Sequence, residues 1–245
     1  MKISEVLRRM LITRKCVLCN ELIDYDRKAP ICDDCETCWD DLLEVRCNRC
    51  GGDRHNCSCL PALVKKYFPI SSWGVFYTSG NSDEANMLVF RLKYRRIKDV
   101  IDLCTEVMKD SLLETCRNRG INYKDYAVTY SPRRKSSKRK YMFDHAREMA
   151  KRLAKILEID FVDALENIGT KEQKTLTYIE RRKNAQSSYI LKSNFKSKHK
   201  KYFLVDDIMT TGSTLVYCSR LLYEAGANEV IPVTYAKDNY KYKGD

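Results

Sequence analysis

The sequence predicts a parallel α/β sheet flanked by helices, preceded by a small module folded around cysteines. Three observations carry this. From Trp73 onward, apolar runs of strand type alternate with segments of helical spacing. One run, Tyr202-Phe203-Leu204-Val205, ends in Asp206 and Asp207, passes through Ile208-Met209-Thr210-Thr211-Gly212-Ser213-Thr214, and enters a helix with apolar positions at Leu215, Val216, Leu221, Leu222 and Ala225. Nine of the twelve cysteines lie between Cys16 and Cys59.

The 245 residues suffice for a small module plus a domain of ordinary size, and the cysteines place the boundary near residue 62, giving 1–62 and 63–245. Charge divides the same way. The first sixty residues carry a net −1 and the remainder +13 of the total +12, so an anionic partner should meet the second part. Met1 to Leu11 is charged and amphipathic, with Arg8 and Arg9 interrupting any apolar core, and there is no apolar run of about eighteen residues. The expectation is a cytoplasmic protein with no membrane span, in which paired Cys-x-x-Cys means metal more often than disulfide.

In chain order, Lys2 to Thr13 reads as a short amphipathic helix. Cys16-Val17-Leu18-Cys19, Cys32-Asp33-Asp34-Cys35, Cys47-Asn48-Arg49-Cys50 and Cys57-Ser58-Cys59 follow. A Cys-x-x-Cys turn aims two thiolates at one point, and two such turns complete a closed tetrahedral zinc site. We pair Cys16, Cys19, Cys32 and Cys35 in one structural zinc site and Cys47, Cys50, Cys57 and Cys59 in a second, as consecutive zinc ribbons. An interleaved arrangement is the alternative. Cys57-Ser58-Cys59 is one residue short, His55 is near enough to substitute, and Cys38 is left over. A redox pair or iron–sulfur ligands fit this spacing less well, and a segment so short and polar needs a metal to fold.

Pro61 to Pro69 reads as a linker, Trp73 to Thr78 as a strand, and Ala85 to Tyr94 and Ile97 to Cys116 as helices, with the basic, aromatic cluster Leu92-Lys93-Tyr94-Arg95-Arg96 between them. Asp125 to Tyr130 is a second strand, ending in Ser131-Pro132. Arg133-Arg134-Lys135-Ser136-Ser137-Lys138-Arg139-Lys140 then packs six cations into eight residues, a loop that awaits an anion. Phe143 to Leu157 reads as a helix with Ala146, Met149, Ala150, Leu153 and Ile156 on its apolar face, Phe161 to Leu165 as a short strand, and Glu229 to Tyr235 as the last strand.

The stretch around Asp206 carries the chemistry. Backbone N–H groups at a helix start lack intrahelical partners and sit at the positive end of its dipole, so Thr210 to Thr214 suit a phosphate. A helix cap would account for one oxygen acceptor and leave the second aspartate idle. Two carboxylates upstream suit the hydroxyls of an attached sugar or a divalent cation, which together describe a phosphorylated ribose at the carboxyl edge of a parallel sheet. No Gly-x-x-x-x-Gly-Lys sequence and no serine or cysteine triad signature is present, which excludes those motifs as the source of function.

Val205 to Thr214 resembles the 5-phosphoribosyl-1-pyrophosphate (PRPP) signature of type I phosphoribosyltransferases. With the cysteine module in front, the Leu92-Lys93-Tyr94 cluster, Val128 to Pro132, Arg133-Arg134 and the set Gln173, Leu176, Arg181 and Asn184, the whole is similar to the ComF (ComFC) family of competence-associated proteins. One departure stands out: where that family usually shows Arg-Gly-Phe-Asn-Gln, this chain has Lys140-Tyr141-Met142-Phe143-Asp144-His145. The resemblance implies a type I phosphoribosyltransferase-like fold behind a double zinc ribbon, with PRPP or a related phosphoribosyl compound and Mg²⁺ as ligands. Asp206 and Asp207 would hold the ribose hydroxyls as the catalytic pair, Thr210, Thr211, Gly212, Ser213 and Thr214 the 5-phosphate, and Ser131, Arg133 and Arg134 the pyrophosphate. It also implies a part in the uptake of transforming single-stranded DNA, with other competence proteins as partners. Lys93, Arg134, Lys135, Lys138, Arg139 and Lys140 are the candidate nucleic-acid contacts, and Tyr94, Tyr141 and Tyr202 stand beside cations where bases can stack.

Overall fold

A computed structural model describes residues 14–24, 26–27, 29–77, 98–134, 143–169, 188–193, 195–196 and 198–239. The readings made for Lys2 to Thr13, for Ala85 to Arg96, for the cations of 135–140 and for Gln173, Leu176, Arg181 and Asn184 lie outside the described residues. The elements are β1 (Arg14–Lys15), β2 (Leu22–Ile23), α1 (Asp33–Leu43), α2 (Ala62–Tyr67), β3 (Ser72–Tyr77), α3 (Lys98–Arg119), β4 (Ala127–Tyr130), α4 (His145–Leu157), β5 (Leu165–Asn167), β6 (Tyr189–Leu191), β7 (Lys201–Met209), α5 (Ser213–Glu224) and β8 (Glu229–Asp238).

Strands β3, β8, β7 and β4, in that order, form a parallel sheet. Parallel strands covered on both faces read as unbroken apolar runs rather than alternations, and Tyr202, Phe203, Leu204 and Val205 of β7 are all fully buried. Helices α3 and α4 cover one face, where Val128, Phe203, Val205 and Tyr235 meet Met108, Leu112, Met149 and Leu153. Helix α5, with α2 behind it, covers the other, where Leu204 and Val230 meet Leu215, Val216, Leu222 and Val64.

Local sequence explains the helices. In α4 the buried set is Ala146, Met149, Ala150, Leu153, Ala154 and Leu157, an i, i+3, i+4 stripe that closes on Leu157 rather than on the expected Ile156. The helix stops where Glu158 turns left-handed at φ 54 and the Ile159 N–H donates to the Ala154 carbonyl. In α1, Cys35, Trp39 and Leu42 are buried along one side, a helix that the cysteine spacing gave no reason to expect.

Two readings are corrected. Pro61 to Pro69 is not a linker: α2 occupies it, with Leu63, Val64 and Phe68 buried, and three apolar side chains in so short a piece are enough to dock it. Phe161 to Leu165 does not form a strand of the main sheet. Phe161 makes a single parallel bridge to Val128, and the chain then turns away, so that Leu165–Asn167 pairs antiparallel with Tyr189–Leu191.

Register positions the site. Tyr130 at the end of β4 pairs with Val205, so β7 runs on for four more residues and carries Asp206 and Asp207 past the edge of its neighbour. Beyond Tyr130 the Ser131 N–H still donates to the Val205 carbonyl at 2.9 Å, which lays Ser131 to Arg133 beside the acidic pair.

Candidate functional site

At the carboxyl edge of β7 the two aspartates have different surroundings. The Asp207 N–H donates to Asp206 Oδ1 at 2.9 Å, and the Ile208 N–H to Asp207 Oδ1 at 2.8 Å. Burial and the neighbouring Asp207 charge raise the Asp206 carboxyl well above the usual carboxylate range, while the Ser131 hydroxyl pulls the other way. Beneath it, burial first and then the Asp206 charge push the Cys218 thiol up, leaving it a neutral, unreactive packing residue. Asp207 has a cationic partner, since Arg133 Nη2 lies 3.0 Å from its Oδ2.

Downstream, a pocket of about 50 Å³ is lined by Asp206, Ile208 and every residue from Thr210 to Leu215. Gly212 precedes the first helical residue of α5 at φ 72, a conformation that glycine adopts without steric cost. Glycine is also the only residue that fits, because a Cβ there would lie 1.9 Å from Val64 Cγ2 of α2. The Ser213 N–H donates to Thr211 Oγ1 at 3.4 Å and the Val216 N–H to the Gly212 carbonyl at 3.0 Å, so within the first turn of α5 the N–H groups of Thr214 and Leu215 are the ones that face the pocket end of the helix. Thr211 Oγ1 and Ser213 Oγ are 3.1 Å apart and add hydroxyls to the same wall.

Of the residues expected opposite, Ser131 and Arg133 are brought to the acidic pair, and Arg134 follows, partly buried. Asp144, part of the departure from the ComF pattern, is put to use here: its Oδ2 accepts from the Arg133 N–H at 3.1 Å and so braces that loop. Asn167 braces it as well, donating to the Pro132 carbonyl at 3.1 Å. Lys93, Lys135, Lys138, Arg139, Lys140, Tyr94 and Tyr141 lie outside the described residues. Tyr202 is corrected: it has no exposed surface, being a core residue of β7, and offers no ring for a base to stack on.

The cysteines gather as two consecutive sets rather than interleaved. The sulfurs of Cys16, Cys19, Cys32 and Cys35 lie within 4.8 Å of one another, and so do those of Cys47, Cys50, Cys57 and Cys59. All are free thiols. A tetrahedral ion with bonds of about 2.3 Å needs sulfurs about 3.8 Å apart, and Cys19 Sγ to Cys32 Sγ is 3.6 Å. Backbone N–H groups two residues on point at Cys16, Cys19, Cys50 and Cys57, each at 3.4 Å, which is how a turn stabilises a thiolate. Burial pushes Cys16 and Cys47 up, but these and neighbouring N–H donors outweigh it and bring them down to about 6 and about 7. The donor set fits a closed zinc site. His55 stands outside it, its Nε2 accepting from Arg54 at 3.0 Å, and Cys38 belongs to neither set.

Sequence reasoning missed the residues that fasten the second set to the sheet. Lys237, near the end of β8 and 2% exposed, puts its Nζ 3.3 Å from Cys57 Sγ. Asn239 Oδ1 accepts from the Asn48 N–H at 2.9 Å, and its Nδ2 donates to the Arg46 carbonyl at 3.0 Å. The available signal was a lysine and an asparagine continuing an apolar strand.

No helix among the described residues is long and apolar enough to cross a membrane. Comparison with known proteins places residues 144–245 on the family model described as phosphoribosyl transferase domain. Solved structures with similar chains include an allosteric regulatory enzyme of purine biosynthesis, at 17% identity and a TM-score of 0.38, covering 60% of this chain but only 30% of that one. Another is a hypoxanthine phosphoribosyltransferase from Staphylococcus aureus, at 15% identity and a TM-score of 0.35, covering 59% of this chain and 71% of that one. No curated protein matches. Residues 144–245 thus resemble a phosphoribosyl transferase domain, and in the same part of the chain the parallel sheet sets an acidic pair and a small polar pocket at its carboxyl edge.

Proposed function

We propose that this site binds PRPP or a closely related phosphoribosyl compound together with Mg²⁺ and transfers the phosphoribosyl group. The observation that carries the reading is the shared pocket: Asp206 and the whole Thr210 to Leu215 turn line one small cavity at the sheet edge. The turn takes the 5-phosphate on its N–H groups and hydroxyls, the acidic pair takes the two ribose hydroxyls one step upstream, and Ser131 to Arg134 take the pyrophosphate across the gap. Hard oxygen donors of this kind suit Mg²⁺, which when bound neutralises pyrophosphate charge. In the transfer, the bond from C1 to the pyrophosphate oxygen breaks with its electron pair leaving on pyrophosphate, and an acceptor nucleophile closes on a cation-like C1. The chain contributes positioning and charge complementarity, which suffice for this chemistry without a protein nucleophile.

The resemblance to ComF supports a finer reading, a part in uptake of transforming single-stranded DNA alongside other competence proteins, and the +13 of the second part supports an anionic partner. Incubation with PRPP, Mg²⁺ and a panel of nucleophilic acceptors tests the transfer by release of pyrophosphate. Binding by calorimetry with no pyrophosphate released from any acceptor replaces transfer by a sensing role, and absence of binding overturns the proposal.

A further inference from the structure

Very little chain separates the second cysteine set from α2, the helix that stands behind the phosphate loop. Cys59 is followed by Leu60, Pro61 and then α2, and Pro61, Leu63 and Val64 are buried. Val64 has no exposed surface and stands directly behind Gly212, so closely that any side chain at 212 would overlap it. Helix α2 therefore forms the wall against which the loop is shaped, and α2 in turn packs on α5.

The same cysteine set is fastened to the sheet from its other side. Lys237 Nζ lies 3.3 Å from Cys57 Sγ and rests over the rings of Trp73 and Phe76 at 4.6 and 5.1 Å. A buried ammonium is costly unless it is paired, and four thiolates around a dication carry an excess of two negative charges that one lysine partly balances. Asn239 adds three hydrogen bonds to Arg46 and Asn48, the residues around the first knuckle of the set. In register, Lys237 pairs with Met209, the residue just before Thr210. Both ends of the loop thus lean on groups that the second set holds. The first set packs instead in the opposite core, beside Trp39 and Leu42.

We propose that the second cysteine set is a positioning device for the phosphate loop: filling it fixes Val64 behind Gly212 and the end of β8 beside Met209, so metal occupancy there sets the affinity of the loop for a phosphorylated ligand. The inference rests on the phosphate-loop reading above. Coupling of this kind is reciprocal, so the ligand must tighten the metal by the factor by which the metal tightens the ligand.

The test titrates zinc-loaded protein at equilibrium against a zinc-selective chelator, with and without PRPP and Mg²⁺. One of the two zinc equivalents should hold about fivefold tighter when PRPP is present, the low end of such couplings. Capture of zinc by PRPP itself has the opposite sign. Lys237→Met should weaken that equivalent alone and so assign it, while Val64→Ala should retain zinc yet lose the PRPP effect. Hydrogen exchange at the amides of 210–214, read without any ligand, should quicken once the second site is stripped, and this arm stands even for a variant that folds poorly. If PRPP does not bind at all, the phosphoribosyl reading fails while the exchange still reports the coupling. Equal exchange in loaded and stripped protein overturns the coupling, as does a zinc affinity that PRPP leaves unchanged while it binds.

Discussion

Arg133 Nη2 and Asp207 Oδ2 are 3.0 Å apart, with both side chains less than a quarter exposed, so the residue proposed to meet pyrophosphate holds one of those proposed to meet ribose. On the proposed function, the ion pair joins a residue that would meet pyrophosphate to one that would meet ribose. Ligand entry must exchange it for contacts to the ligand, which gives each residue two effects with different readouts. Replacing Arg133 by Met should lower the stability of the free protein by about 1 kcal/mol, the upper end for a partly exposed pair. It should also weaken PRPP binding by about tenfold, about 1.4 kcal/mol. Calorimetry on the single variants and on Arg133→Met combined with Asp207→Asn should show losses in free-protein stability that do not add, because the two residues share one contact. Additive losses would mean that the pair is not formed in solution.

Asp206 makes a prediction of the opposite sign for stability and for binding. Burial and the Asp207 charge raise its carboxyl above the unfolded value. As pH falls the folded state therefore takes up this proton before the unfolded chain does. The cost of the charge on this partly buried carboxylate is present in full above the folded pKa and is relieved as pH falls from there to the unfolded value. Asp206→Asn keeps the oxygen that accepts the Asp207 N–H and removes the charge, so it should raise the melting temperature of the free protein at neutral pH. The same change should weaken PRPP with Mg²⁺ by at least about tenfold, and combination with Asp207→Asn should weaken it further. A melting temperature that falls with Asp206→Asn would show that the charge is satisfied in a way the geometry does not reveal.

Gly212 is held by two constraints that can be separated. Its left-handed backbone costs an alanine about 1–2 kcal/mol, and the clash with Val64 adds to that. Gly212→Ala should destabilise by about 2 kcal/mol or more and abolish PRPP binding, the stability loss read from chemical denaturation. Val64→Ala in the same chain should recover the steric part alone, so the double variant loses less than the sum of the singles. Strict additivity would place Val64 away from the loop.

How much of this was legible follows from the range of the interactions. The run from Tyr202 to Ala225 is strand, turn and helix written consecutively, and the knuckles are turns of three or four residues, so both could be read locally. Three properties could not. Tyr202 stands beside Lys200 and Lys201, yet its ring is buried in the core while the two lysine side chains keep exposed surface, and alternation along a strand buried on both faces does not announce that. Helix α2 is six residues long and becomes a wall only because Val64 meets Gly212, 148 positions away. Lys237 and Asn239 are likewise explained only by the cysteine module some 180 and 190 residues upstream, to which no local pattern points.

Metal content tests the module directly. Two closed thiolate sets imply two zinc ions per chain by elemental analysis, and because sites of this kind supply folding energy, chelation should unfold the amino-terminal part. Iron with a visible absorption band would replace zinc by a cluster. A content near one would remove the second set from the account and, with it, the positioning of the loop.

The nucleic-acid reading has a quantitative test in the cations that follow Arg134. If Arg133, Arg134, Lys135, Lys138, Arg139 and Lys140 contact the phosphates of a single strand, each contact releases counterions and adds about 0.7 to the slope of log affinity against log salt. Neutralising four of them should flatten the slope by about two to three units and weaken all sequences alike. Because Arg133 also pairs with Asp207, the four should be chosen from Lys135 to Lys140, which leaves the acidic pair undisturbed. A loop that serves pyrophosphate alone behaves differently: the same substitutions lower PRPP affinity while the DNA slope stays where it was. That outcome would move any DNA surface to the tract from Lys192 to Lys201. There Lys192 is already paired with Asp163 at 2.8 Å and Lys201 sits between Asp125 and Glu229, so only Lys196, Lys198 and Lys200 of the described cations are placed to give a slope, of about two at most.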